Sequence, residues 1–261
     1  MKLIRTLTLI TGLFMLALAA GFVFQVPIVT SLWPWPDGRY SYLFIGSILA
    51  AAAAAMLWTG WTGETGALPA GSLNLFVIGL TTMIYFFQLV IEQGRQELIP
   101  FGIAALLTAI ASGASFLWSR QLPFDDPRPT PALVRISFGI FIASLFLAGG
   151  ALLLKAPIFP WALNSDSSVI FGCIFIGDAF YFLYGLLRPR WQNAFGQLLS
   201  FLAYDLVLIG PFLALFKTVK PEHWVNLIIY TAVLIYSGVL AVYFLFIHSK
   251  TRSAASERFK N

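Results

Sequence analysis

Charge is what this chain has least of. Of 261 residues, 10% are Asp, Glu, Lys or Arg, against about 25% in a soluble domain. So few charges cannot cover a water-facing surface. Cysteine is nearly absent too. The single Cys173 excludes an intrachain disulfide and any cysteine-ligated cluster within the chain, and it reads as a small core residue. The two histidines, His223 and His248, stand at the ends of apolar runs, so no mid-membrane pair exists to hold a b-type haem. There is no phosphate-binding loop, no HExxH and no GxSxG elbow. No basic stripe with interleaved aromatics points to nucleic acid. No catalytic residue and no metal-ligand set is therefore assigned, and no cofactor is predicted. The aromatic cluster Phe175, Phe180, Tyr181, Phe182 and Tyr184 fits a groove for a bound lipid, quinone or pigment.

What is present is apolar length, since 59% of the residues are hydrophobic. Eight runs, near 7–27, 42–61, 72–91, 98–118, 133–154, 167–187, 195–216 and 224–247, each reach the roughly 20 residues that cross a bilayer core of about 30 Å. Backbone groups in lipid must bond within the segment, so continuous apolar runs of this length are helices. The expected fold is an all-α polytopic membrane bundle of about eight transmembrane helices. The first run resembles a secretory signal, with LALAAG near its end. Its counterpart later in the chain cannot be one, so the first span is read as retained. Eleven Lys and Arg lie on the side of the termini and five on the other, which places both termini in the cytoplasm. Trp33, Trp35, Trp161 and Trp224 fall at outer ends or loops, and Trp58, Trp61, Trp118 and Trp191 at inner ends. That is the belt expected of tryptophan.

The chain repeats itself at an offset of 126 residues. LWPWPDGRYSYLFIGSI (32–48) matches IFPWALNSDSSVIFGCI (158–174), pairing Pro34 with Pro160, Trp35 with Trp161, Ser41 with Ser167 and Gly46 with Gly172. VPI (26–28) matches API (156–158) after a small gap. The expected organisation is a four-helix membrane repeat at 1–120, a cytoplasmic linker at 121–131, a second four-helix repeat at 132–248 and a basic cytoplasmic tail at 249–261. Four spans per unit leave both halves in the same orientation, about an axis along the membrane normal. Trp33, Pro34, Trp35, Pro160 and Trp161 are expected as outer interfacial anchors. The alanines at 50–55 are expected at a helix–helix contact, since small residues let backbones approach. Glu92, Arg95 and Glu97 read as a solvated turn.

Two carboxyls break the apolar pattern. Asp178 and Asp205 lie at matched depth in the sixth and seventh spans, roughly 14–15 Å from their shared inner end at 1.5 Å per residue. A charged Asp there costs about 2.5–3.5 kcal/mol, so both call for a compensating gain. At the repeat offset Asp178 faces Ala52 and Asp205 faces Gly79, so any chemistry of theirs belongs to the second half. Tyr181, Tyr204, Ser200, Tyr236 and Ser237 are their candidate polar partners, with Thr231 a further hydroxyl.

IGD (176–178) and YD (204–205), on consecutive helices, resemble the paired motifs of the GxGD intramembrane aspartyl proteases. The resemblance implies two aspartates that activate one water. This chain departs from the pattern: Phe175 stands where the first glycine belongs, and the order of the two motifs is reversed. The chain also resembles bacterial polytopic membrane proteins with a Trp-Pro-Trp segment between paired spans, mainly over residues 30–60. That likeness implies a bacterial inner membrane. The leading expectation is a non-enzymatic membrane protein, an accessory or assembly subunit or a lipid-binding bundle, with the aspartates as interhelical glue. Its partners would be the bilayer, other membrane subunits or a second copy, and not nucleic acid. The alternative is a small secondary transporter coupled to protons or cations through Asp178 and Asp205. A transporter requires a cavity reaching one of them; glue requires both to be sealed.

Overall fold

A computed structural model describes residues 2–124, 126 and 128–251. Eight of its helices are long and apolar enough to cross a membrane. They are α1 (Lys2–Val23), α3 (Arg39–Thr62), α4 (Leu68–Gln93), α5 (Ile99–Ser119), α6 (Ala132–Leu153), α7 (Ser165–Leu187), α8 (Trp191–Leu215) and α9 (Trp224–Val242). A short α2 (Pro27–Thr30) follows α1, and a π-helical turn, Tyr243–Ile247, extends α9. The chain is thus an all-α polytopic membrane protein. The side of the bundle holding residues 2 and 251 is called the terminal side below, and the opposite side the far side. Most of the basic tail lies outside the described residues.

Local chemistry sets the helix ends. Prolines in the first turn open α4 and α5, where a missing N–H costs nothing. Gly63 and Gly94 close α3 and α4 in the left-handed region, at φ 83° and 68°. The first span was expected to run to residue 27; α1 stops at Val23 because Gln25 turns left-handed (φ 53°) and Pro27 follows. Lys155, after α6, does the same at φ 60°. Both sites close with the same pair of backbone bonds. Gln25 N donates to Phe22 O (3.1 Å) and Val26 N to Gly21 O (2.8 Å); Lys155 N donates to Leu152 O (2.9 Å) and Ala156 N to Ala151 O (2.9 Å). A six-to-one bond of this kind satisfies a carbonyl that the helix end would orphan. The turn before VPI and the turn before API are one structure used twice.

Packing follows the same repetition. α1 pairs with α3 and α6 with α7; α4 pairs with α5 and α8 with α9. The remaining large contacts cross between the halves, α3 on α8 and α4 on α7. Each half therefore completes itself on the other. α7 and α8, joined by a short link, meet mainly through side chains, with Gln197 Nε2 donating to Tyr181 O (2.5 Å) and Phe182 stacked on Phe201 at 4.6 Å. The matched glycines serve matched crossings. A Cβ on Gly46 would lie 3.0 Å from Ala19 O of α1, and one on Gly172 would lie 2.9 Å from Gly149 O of α6. The linker is pinned rather than free, with Thr130 N donating to Pro189 O (2.9 Å) and Trp191 N to Arg128 O (2.8 Å).

An aromatic core fills the far side, where Phe44 meets Phe171 at 4.8 Å and Phe159 stacks on Trp161 at 4.5 Å between ring centroids. This corrects the expectation for Trp35, Pro160 and Trp161, which are buried and do not anchor in the lipid headgroups. Their burial has a reason: the halves exchange hydrogen bonds through these segments. Trp161 Nε1 donates to Ser41 Oγ (3.0 Å), and Trp33 Nε1 donates to Ser167 Oγ (3.1 Å). Ser41 and Ser167, paired by the repeat, are both fully buried and each accepts from the other half.

Candidate functional site

The site begins at the two crossings between halves. On α4 and α7, Asn74 Nδ2 donates to Asp178 Oδ1 at 2.8 Å. On α3 and α8, Ser200 Oγ donates to the Ala51 carbonyl at 3.0 Å. Asn74 and Ser200 are equivalent at the repeat offset, as are Gly177 and Ala51. One geometry, a polar side chain reaching across at a small residue, has thus been kept in both places. Only the first carries a carboxyl. Gly177 makes it possible, because a Cβ there would meet Asn74 Oδ1 at 2.6 Å and Ile78 Cγ1 at 2.4 Å. The glycine before the aspartate lets α4 come close enough for its amide to bond the carboxyl.

A cavity of about 920 Å³ opens beside this crossing, walled by residues from all eight long helices. Asp178 and Asn74 both line it, with Tyr181, Ser200, Tyr204 and Ser237. Most of the remaining wall is Ala, Leu, Ile, Val and Phe. The wall hydroxyls on α1 and α5 are largely committed to their own helices. Thr8 donates to Ile4 O, Thr11 to Leu7 O and Thr108 to Ala104 O, each at 2.9 Å. Each has one proton, so what faces the cavity is a lone pair. Asn74 Oδ1 is buried without a donor, and among the described residues no donor reaches Asp178 Oδ2. The cavity is apolar, with oxygen acceptors gathered at Asp178.

Asp205 sits in different surroundings. It is buried, accepts from Ser237 Oγ at 3.1 Å and does not line the cavity. Gly238 of α9 packs beside it. Each aspartate thus has its own partner on its own neighbouring helix, Asn74 on α4 for Asp178 and Ser237 on α9 for Asp205.

The other expected partners bond elsewhere. Tyr204 Oη pairs with Tyr230 Oη (2.5 Å), Tyr181 Oη with Ser200 Oγ (3.4 Å) and Tyr236 Oη with Ser137 Oγ (2.7 Å). Thr231 Oγ1 is buried with no partner.

Sequence reasoning passed over Asn74, although an amide in SLNLFVIGL carries the same signal as the aspartates. It also passed over a far-side cluster. Asp166 accepts from Tyr85 Oη (2.7 Å) and from Arg95 Nη1 (2.6 Å), with Lys155 Nζ at 3.8 Å. Arg95 also lies over the Trp35 ring at 5.8 Å, a cation–π contact. The turn at 92–97 is therefore tied to the other half. The Asp166 hydrogen bond is the main cause of a raised Arg95 pKa. On the terminal side, Gln192 Nε2 donates to the buried Glu64 carboxylate. Among the described residues no cluster of three or more His, Cys, Asp or Glu can hold a metal.

The chain matches no family model, no curated protein and no solved structure.

Proposed function

We propose that this integral membrane protein binds an amphiphile at mid-membrane. Its apolar body lies along the cavity wall, and its head, an ammonium or hydroxyl group with N–H or O–H donors, is held by Asp178, which Asn74 positions. The observation that carries this reading is the free acceptor edge. Asp178 lines an apolar space large enough for a small ligand, and among the described residues only its Oδ1 has a donor. Ligand pockets are typically about 300–1,000 Å³, mostly apolar, with a few placed polar groups.

Two-carboxyl hydrolysis is not favoured, because only one aspartate lines the cavity while the other is sealed on Ser237. Interhelical glue accounts for one oxygen of each aspartate, Asp205 Oδ1 on Ser237 and Asp178 Oδ1 on Asn74; what sets Asp178 apart is its place on the cavity wall, whereas Asp205 Oδ2 is buried. A carrier of the same amphiphile is the second reading. What favours it is the position of Asp178 and Asn74 at a crossing between the halves, since carriers place their sites near the midplane at repeat interfaces.

The test is equilibrium binding of a long-chain primary alkylamine, with a fluorophore at its tail end, to protein in phosphatidylcholine nanodiscs. A hydrogen bond to a charged group is worth about 1.5–3 kcal/mol, which is about tenfold or more in affinity. Saturable binding to wild type, weakened by that factor in Asp178→Asn and unchanged in Asp205→Asn, is the expected result. Equal, unsaturable uptake by all three overturns the proposal.

A further inference from the structure

The cavity stops short of the far-side aromatic core, and on the terminal side its wall reaches Ile4 and Trp118. The aromatic core of Phe44, Phe159 and Trp161 fills the far side. On the terminal side the linker packs under the bundle, and a Cβ on Gly66 would lie 2.8 Å from Pro123 O. The cavity wall reaches the bundle's surface sideways. Leu7 of α1 is 53% exposed, Thr108 and Ala111 of α5 are exposed, and all three line the cavity. A matching opening lies between α6 and α9 at Ser144, Ile229 and Val233.

The two openings differ in how they are held. α6 and α9 are tied by the Ser137–Tyr236 hydrogen bond and by a Phe141–Tyr236 ring contact at 6.1 Å. No hydrogen bond joins α1 to α5 among the described residues. Each is fixed instead to its own neighbour. Arg5 of α1 caps α3 through Gly60 O (3.2 Å) and Trp61 O (2.6 Å), and Ser115 of α5 bonds Ser72 of α4 (2.8 Å). The α1–α5 cleft is thus bounded by two rigid pairs that are not bonded to each other. Leu7 lies roughly 8 Å along α1 from its start, and Ala111 roughly 12 Å from the end of α5, at 1.5 Å per residue. Both depths fall in the terminal-side half of a core about 30 Å thick.

We infer that the ligand is a membrane-dissolved, single-chain amphiphile that enters sideways from the terminal-side leaflet. It passes head-first through the cleft between α1 and α5, and its tail stays in that cleft. This rests on the binding reading above and gives it a substrate class and a route. The chemistry of the path agrees. Back-bonded threonines and apolar side chains line the cleft, so a chain slides past them, while the carboxyl that stops a donor head lies further in, at Asp178.

The experiment uses the full chain in phosphatidylcholine vesicles and a long-chain primary alkylamine carrying a diazirine at mid-tail. After photolysis, labelled peptides are mapped with and without excess unlabelled amine. Labelling on α1 and α5, around Leu7, Thr11, Thr108 and Ala111, that the unlabelled amine competes away is the expected result. In a parallel kinetic measurement, Ala111→Trp is expected to slow uptake of the tail-fluorescent amine about tenfold, with Leu147→Trp, exposed on α6 and off the cavity wall, unchanged. Competable, Asp178-dependent labelling confined to α6 and α9 overturns the route while leaving the binding site standing. No competable labelling anywhere, with Asp178→Asn indistinguishable from wild type, removes the binding reading and the route together.

Discussion

Replacing Gly177 with alanine adds one methyl at the closest point between α4 and α7. That methyl would sit 2.4 Å from Ile78 Cγ1, 2.6 Å from Asn74 Oδ1 and 3.0 Å from the Asn74 carbonyl. The side-chain atoms can swing away, but the carbonyl belongs to the α4 backbone, so the helix itself must shift. Overpacking of this kind costs about 1–3 kcal/mol. Alanine also removes glycine's entropic handicap in a helix, a gain of about 0.5–1 kcal/mol. Gly139 on α6 isolates that gain, since a Cβ there meets nothing within 4 Å. Gly139→Ala should therefore stabilise slightly and Gly177→Ala should destabilise. The two should differ by about 2 kcal/mol, roughly a thirtyfold difference in the folded-to-unfolded ratio. Unfolding in mixed micelles titrated with denaturing detergent measures both. The same samples report the site, because a displaced α4 takes Asn74 away from Asp178. Infrared difference spectra of the carboxyl band should change in Gly177→Ala and not in Gly139→Ala. Equal stability of the two variants would refute the claim that α4 and α7 touch through this glycine.

Ser237→Ala should cost about 1–3 kcal/mol, because it leaves the buried Asp205 carboxyl without a donor. Asp205→Asn keeps an acceptor for Ser237 and should unfold close to wild type in the same titration. Trp161→Phe and Trp33→Phe each keep a ring and lose one hydrogen bond to a buried serine, about 0.5–1.5 kcal/mol each. The double variant tests whether the two bonds act independently, in which case the costs add to within about 0.5 kcal/mol. Arg95→Met should cost no more than about 1 kcal/mol, since Arg95 and Asp166 are both partly exposed to solvent. The Asp166 bond raises the Arg95 pKa, so this contribution is complete below the ordinary arginine range and is lost only as pH rises above it. The gap between wild type and Arg95→Met should accordingly be flat across neutral pH on the arginine's account, and a collapse of the gap there would count against the assignment.

The membrane fold was legible because a continuous apolar run admits one structure in lipid. The repeat was legible where local geometry needed it. Ser41 and Ser167 persist as acceptors, and Gly46 and Gly172 persist because backbones cross there. Gln25 and Lys155 could not be read, since neither is glycine and the left-handed turn is shared by position rather than residue type. The crossing between halves was also hidden. Apolar periodicity says that a helix packs, not on which partner. The surroundings of the two aspartates were not visible. Asp178 differs from Asp205 through Asn74, about a hundred residues away in sequence, and through a cavity that only the assembled helices create. Trp35 and Trp161 misled because tryptophan near a span end suits a lipid interface and a buried aromatic core equally well.

The exchange of helices between halves has a consequence for how the chain is made. α3 ends at residue 62 and packs on α8, which ends at residue 215. About 150 further residues must leave the ribosome before α3 meets that partner, on the order of 8–30 s at about 5–20 residues per second. Through that interval the face of α3 that carries Phe44, Ala51 and Trp58, and that will receive Ser200, is without its partner. The group on it that awaits a hydrogen bond from α8 is the Ala51 carbonyl, already part of the α3 backbone, so no polar side chain is stranded there. Asn74 of α4 waits less, since α7 ends at residue 187, yet it carries the amide that lipid tolerates least. The first half of the protein is in this sense a nascent surface that has to remain inert until the second half arrives.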